Sequence, residues 1–224
     1  MSIAPLKNKI LKEYKQRAGL YQEFTRAVSC LLESMLNKSG YKYHISSRVK
    51  EIRSLENKII RKKLKGKIYK KLKDIQDIAG VRIIFYTEHD RKKFIGSIEK
   101  EFKTSLKMKK TFKLSGYRAI HAILHLGPER LRLAEYKAFG GLPCEIQLCL
   151  ILEHAWAEIE HDILYKENRG YTELDRLRHL FMKERMERIM KNQINNASKE
   201  IERIVSQSKK IKRGQRLARD MAPT

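Results

Sequence analysis

Cysteine is scarce in this chain of 224 residues, and odd in number. Cys30, Cys144 and Cys149 are spaced for neither a disulfide framework nor a zinc site. That excludes a stapled secreted scaffold, points to a reducing compartment, and leaves the thiols as expected small buried apolar side chains. No run of about 18 uncharged apolar residues occurs. Residues 1–7 carry no apolar stretch of signal-peptide length, so the expectation is a cytoplasmic protein with no membrane partner. Acidic side chains are also short, with 26 Asp and Glu against 50 Lys and Arg, a formal charge of +24. One nucleoside triphosphate, with about four negative charges, does not need so much. The excess points either to a polyanion held through phosphate contacts and counterion release or to a lysine-rich background composition.

An apolar share of 42% is enough for a core without staples, in one domain or one domain with a helical appendage. From Asn8 to about Asn37, Ile10, Leu11, Tyr14, Leu20, Tyr21, Phe24, Val28, Leu31, Leu32 and Met35 recur at helical spacing, and Gly40 suits the C′ position that ends the helix. Tyr41 to Val49 reads as a short strand with Arg48 and Lys50 on one face. A second helix is expected with Ser54 as N-cap, carrying Lys58, Arg61, Lys62, Lys63 and Lys65. Between Arg48 and Lys73 stand twelve basic residues and only two acids, Glu51 and Glu56. A solvated helix face mixes both signs, so this stretch reads as a phosphate-binding wall.

Asp77 precedes a strand from Val81 to Tyr86 whose Val81, Ile83 and Phe85 face one way; taken alone it reads as a turn aspartate. His89 and Asp90 are expected to cap a helix that buries Phe94, Ile98 and Phe102. Lys100 to Lys113 is a second basic segment, including Lys110, that leads into a strand from Tyr117 to Leu126. The rest is organised around residues 142–150, a strand, and 151–166, a helix. Alternation places Ile146 and Leu148 in an apolar layer, and Glu145, Gln147 and Cys149 on the opposite face, so a carboxylate stands on a rigid element facing a cleft. In the helix, Leu152, Ala155, Trp156, Ile159 and Ile163 form the expected buried stripe. A long helical stripe through Leu177, Leu180, Phe181, Met186, Ile189, Met190, Ile194, Ala197, Ile201 and Ile204 follows. The basic cluster 209–219 is either a frayed end or an arm for nucleic acid.

Four ordered stretches, Ser47-Arg48-Val49-Lys50, Asp77-Ile78-Ala79-Gly80-Val81-Arg82, Gly116-Tyr117-Arg118-Ala119-Ile120-His121, and Glu145-Ile146-Gln147 with His154 to Lys166, resemble the synthetase domain of the RelA/SpoT family of stringent-response pyrophosphokinases. The element order then implies an α+β fold, a mixed sheet of about four or five strands flanked by helices and similar to the nucleotidyltransferase-like fold. The expected divisions are an N-terminal helix over 1–40, the synthetase core over 41–170, a helical extension over 171–208 and a basic tail over 209–224.

The resemblance implies transfer of the β,γ-pyrophosphate of ATP to a ribose 3′-hydroxyl, with AMP leaving. It implies catalytic roles for Glu145, Asp77 and Gln147, with Asp77 and Glu145 as Mg²⁺ ligands. Arg48, Lys50, Lys58, Lys62 and Arg82 are implied to bind ATP, and Tyr117, His121 and Lys110 to bind the acceptor, Tyr117 by stacking on a base. One departure bears on that acceptor. Most members follow the Glu-x-Gln strand with Arg-Thr, and here Cys149 and Leu150 stand there, so a cation is missing. Three readings stay open: GDP or GTP as acceptor, giving (p)ppGpp; the 3′-CCA end of tRNA, as in short toxin relatives; or a site that only binds RNA or a partner. An antitoxin or a homo-oligomer through the terminal helices is the implied protein partner. The chain offers no room for the separate alarmone-degrading domain or the long regulatory region of larger members, and the expectation is a short, single-function synthetase.

Overall fold

The computed structural model describes residues 4–112, 118–164 and 172–220. In chain order the elements are α1 (Ala4–Asn37), β1 (Tyr43–Val49), α2 (Ile52–Leu64), β2 (Ala79–Phe85), α3 (Glu88–Phe102), β3 (Leu106–Phe112), β4 (Arg118–Leu124), α4 (Pro128–Leu131), β5 (Cys144–Leu150), α5 (Ile151–Leu164), α6 (Glu173–Ile189) and α7 (Asn195–Asp220). The strands form one five-stranded mixed sheet in the order β1-β2-β5-β4-β3, so the expected α+β class holds. Two compact units are present. One comprises Met1–Ile83, Phe94–Lys109 and Ile120–Leu148; the other comprises Ile84–Lys93, Lys110–Ala119 and Cys149–Thr224.

In the first unit α1 buries Ile10, Tyr14, Tyr21, Phe24, Val28, Leu32 and Leu36, an apolar stripe at three- and four-residue spacing. Gly40, at φ 63°, closes the helix in the left-handed region that glycine enters at no steric cost. Phe24 meets Phe139 with ring centroids 5.5 Å apart. β2 alternates buried and half-buried residues along its whole length, with Val81, Ile83 and Phe85 inward. β4 and β5 pair antiparallel, with Ala122 opposite Ile146 and Leu124 opposite Cys144 on the core side, and His121 opposite Gln147 and Ile123 opposite Glu145 on the other. The α2 helix begins at Ile52 rather than after Ser54. Glu51 is its N-cap without a side-chain bond, and the first turn closes as Leu55 N donates to the Glu51 carbonyl at 2.9 Å. Burial of Leu55 and Ile59 sets that start more strongly than the serine does.

The second unit corrects three further expectations. The cap of α3 is Thr87, whose hydroxyl accepts from Asp90 N at 3.2 Å. His89 N donates to Glu202 and Asp90 pairs with Lys209, so these two residues tie down α7 instead of capping. Among the described side chains of α5 the buried ones are Glu153, Trp156 and Glu160, while Ala155 and Ile159 are exposed and Leu152 only half-buried; the Ile163 side chain lies outside those described. Glu153 is tolerated there because it pairs with buried Arg91 at 2.5 Å and accepts from Leu150 N at 2.9 Å. The stripe expected over residues 177–204 is also turned. Met186 and Met190 pack on Trp156, with Ile194 beside them, whereas Leu177, Leu180, Phe181, Ile189 and Ile204 are exposed. A π-helical turn at Met190–Ile194 joins α6 to α7, and the basic segment from Lys209 to Asp220 continues α7.

All three cysteines are free thiols. Cys144 and Cys149 are buried as expected, but Cys30 is exposed. No helix among the described residues is long and apolar enough to cross a membrane.

Tyr21 is fully buried in α1 and its hydroxyl has no hydrogen-bond partner. Burial pushes that phenol up to about 12 against the nearby charge of Arg17. Removing an unsatisfied buried hydroxyl relieves a desolvation cost, whereas removing a buried ring opens a cavity. Tyr21→Phe is therefore expected to keep or raise stability, and Phe24→Ala to lower it by about 3–5 kcal/mol. Urea unfolding of both variants checks this, and a Tyr21→Phe loss of more than about 1 kcal/mol contradicts it.

Candidate active site on the first unit

Three neighbouring strands, β1, β2 and β5, build one face of the candidate site. Ser46 to Arg48, then Asp77 and Gly80 to Arg82, then Glu145 and Gln147 line a cleft of about 100 Å³. Gly80 is among the lining residues, and a Cβ added there would meet the Arg48 and Glu145 carbonyl oxygens only at 3.7 and 3.9 Å. The protein's own packing therefore does not demand glycine here.

Asp77 stands two residues ahead of β2, and Lys50 one residue past β1. The Lys50 backbone is clamped twice, its N–H donating to the Ile78 carbonyl at 2.8 Å and its own carbonyl accepting from the Tyr14 hydroxyl at 2.6 Å. Its side chain brings Nζ to 3.2 Å from Asp77 Oδ2, and Lys58, from α2, brings its own to 2.5 Å from Oδ1. Burial pushes the Asp77 carboxyl up, but the two ammonium groups beside it outweigh that and hold it below the usual carboxylate range. One turn farther along α2, burial and the crowd of Lys58, Lys67, Lys65 and Arg61 push the Lys62 ammonium down, the signature of a dense cationic wall. Buried Tyr69 also feels the Asp77 charge.

Glu145 is oriented by a relay of hydrogen bonds. Arg82 Nε donates to Gln147 Oε1 at 3.1 Å, and Gln147 Nε2 donates to Glu145 Oε2 at 3.0 Å. Gln147 thereby passes the polarisation of a guanidinium to a carboxylate and has its amide orientation fixed at both ends. On the other side His121 Nδ1 lies 3.1 Å from Glu145 Oε1. An ionised carboxylate only accepts, so Nδ1 carries the proton; Nε2 is buried without a hydrogen-bond partner. Burial pushes the Glu145 carboxyl up, as does the charge of Asp77, yet His121 and Gln147 together hold it below the usual range.

Of the residues singled out by sequence, Arg48, Asp77, Arg82, Glu145 and Gln147 line one cleft, Lys50 and Lys58 reach it through Asp77, and His121 joins it through Glu145. Lys62 adds to the wall without lining the cleft. Tyr117 lies outside the described residues; Lys110 belongs to β3, but its side chain is not among those described. Cys149, expected on the face of Glu145, is buried. Sequence reasoning missed Ser46 as a lining residue and Tyr14 as the clamp on Lys50. A hydroxyl within an otherwise apolar helical stripe was the available signal for the latter.

Two carboxylates lining one cleft suit a hard dication. Among the described residues no group of three His, Cys, Asp or Glu is placed to hold a metal, so a cation here takes two protein ligands and the rest from water or phosphate. That donor set fits Mg²⁺, which keeps several waters, and not a structural zinc, which takes four protein ligands.

A family model described as the region found in RelA / SpoT proteins matches residues 47–170. The GTP pyrophosphokinase YwaC of Bacillus subtilis (strain 168) is 34% identical over 129 residues, which is 56% of this chain and 59% of that protein's length. The fold resembles small alarmone synthetase 1 from Bacillus subtilis, with a TM-score of 0.62 at 19% identity over 89% of this chain and 99% of that one. It also resembles small alarmone synthetase 2 from the same organism, with a TM-score of 0.61 at 24% identity over 88% and 99%.

The depressed Asp77 carboxyl has a linked stability effect. A folded value below the unfolded one, about 3.9, contributes stability that is present above that unfolded value and is lost as pH falls through the folded one. Lys58→Met removes the nearer ammonium and is expected to move Asp77 upward, so acid loss of stability begins at higher pH. Carbon-13 NMR titration of labelled aspartate checks this, and an unchanged Asp77 titration in the variant contradicts it.

Proposed function

The chain belongs to the RelA/SpoT family, and from that premise we propose that it transfers the β,γ-pyrophosphate of ATP to the ribose 3′-hydroxyl of GDP or GTP, giving (p)ppGpp. The observation that carries the reading is the single cleft shared by Asp77, Glu145, Arg48 and Arg82, backed by the Lys50, Lys58 and Lys62 wall. The 34% identity to a GTP pyrophosphokinase supports a guanosine nucleotide as acceptor.

In this reading the hydroxyl oxygen forms a bond to the β-phosphorus while the bond from that phosphorus to the α,β-bridging oxygen breaks, and AMP departs. Charge spreads over the phosphate oxygens, so the protein's work is positioning and electrostatic stabilisation. Lys50, Lys58 and Lys62 neutralise the triphosphate, and Arg48 and Arg82 bind it from β1 and β2. Asp77 and Glu145 would hold Mg²⁺, which when bound supplies a Lewis acid that draws charge from the phosphate oxygens. Glu145 also accepts the proton of the attacking hydroxyl. Gln147 and His121 each occupy one lone pair of a different Glu145 oxygen, so each oxygen keeps further accepting capacity. Tyr117 and Lys110 belong to the acceptor side.

A second reading keeps the donor chemistry and replaces the acceptor with the 3′-CCA end of tRNA. The net charge of +24 favours it, since a nucleotide alone does not call for such a surface. Incubation with γ-labelled ATP and Mg²⁺, offered GDP, GTP and bulk tRNA in parallel, separates the two. Label on GDP or GTP is expected, falling about 10²–10⁴-fold in Glu145→Gln. Label on tRNA alone replaces the first reading with the second, and label on none of them overturns both.

A further inference from the structure

Both carboxylate oxygens of Asp77 are already occupied by cations, Oδ2 by Lys50 and Oδ1 by Lys58. The three side chains are largely enclosed, with exposures of 16% for Lys50, 17% for Lys58 and 21% for Asp77, so water screens these pairs poorly. A dication approaching Asp77 meets two ammonium groups in its place and a third, Lys62, one turn away on α2. It gains little from a carboxylate whose charge is already met.

From this geometry we infer that Lys50 and Lys58 form a latch that keeps a divalent cation off Asp77 until a polyphosphate draws the two ammonium groups away. Metal and nucleotide then bind as one event, and the site stays closed to free metal. The inference rests on reading the cleft as a Mg²⁺ and triphosphate site, and it adds a role for the two lysines beyond contacting phosphate. The coupling is reciprocal. Freeing Asp77 opens the metal site without nucleotide, and removing the Asp77 charge releases the lysines for nucleotide without metal.

The test uses the whole chain and two binding titrations. Mn²⁺ binding in the absence of nucleotide is followed by electron paramagnetic resonance, and binding of a non-cleavable ATP analogue in excess EDTA is followed by calorimetry. Lys58→Met is expected to bind free Mn²⁺ at least about tenfold more tightly than the wild type, with Lys50→Met moving the same way. The double variant Lys58→Met with Asp77→Asn is expected to lose that gain. Asp77→Asn alone is expected to bind the metal-free analogue more tightly than the wild type does. Circular dichroism confirms that each variant is folded, and the two lysine variants stand in for one another. Wild type and both lysine variants binding free Mn²⁺ equally overturns the latch while leaving the cleft's assignment standing, provided the wild type binds the analogue with Mg²⁺. No binding of the Mg²⁺-loaded analogue to the wild type overturns the assignment of the cleft and the latch with it.

Discussion

A carboxylate taken largely out of water must be met by positive charge or by hydrogen-bond donors, and at Asp77 it is met by charge. The two lysines that meet it come from different parts of the chain, one just past β1 and one from α2, so the ion pairs pin three segments together. Neither lysine is placed casually. Lys50 is held by backbone bonds to Ile78 and to the Tyr14 hydroxyl, and α2 is held against the first unit by buried Leu55 and Ile59. The α1 stripe, the start of α2 and the approach to β2 thus converge on one buried charge, and the core and the site are stabilised by the same packing.

Glu145 satisfies the same requirement by different means. It is answered by hydrogen bonds from Gln147 and His121, with Arg82 behind Gln147, instead of by an ammonium group at contact. Two carboxylates line one cleft, one compensated by lysine ammonium groups and one by a hydrogen-bonded relay. An ammonium group carries charge that a polyphosphate also attracts, which is the basis of the proposed latch, whereas the relay orients Glu145 through side chains of its own sheet. The register of β4 against β5 sets this up, since His121 lies opposite Gln147 and diagonal to Glu145.

Local patterns made much of this legible. The alternation of Val81, Ile83 and Phe85, the α1 stripe, the stop at Gly40 and the outward face of Glu145 and Gln147 depend on neighbours two to four residues away, where sequence periodicity speaks directly. What stayed hidden depends on distant partners. Ile159 was expected in the buried stripe of α5, yet Ile159 is exposed and Glu153 is buried, paired with Arg91, 62 residues away. The clamp of Tyr14 on Lys50 spans 36 residues, and the hydroxyl in the α1 stripe marked a polar contact without naming its partner. The apolar run of α6 was visible, but its rotation was not. That Leu177 and Phe181 face outward while Met186 faces Trp156 is a tertiary outcome that helical spacing alone does not set.

The central claim is that Asp77 and Glu145 jointly hold the cation that accompanies the triphosphate. The most direct measurement is an anomalous difference map from crystals grown with Mn²⁺ and a non-cleavable ATP analogue. The expected result is one strong peak between the two carboxylates and the analogue's phosphates, with the Lys50 and Lys58 ammonium groups turned from Asp77 toward phosphate oxygens. A peak elsewhere, or an analogue bound while both lysines still hold Asp77, contradicts the account.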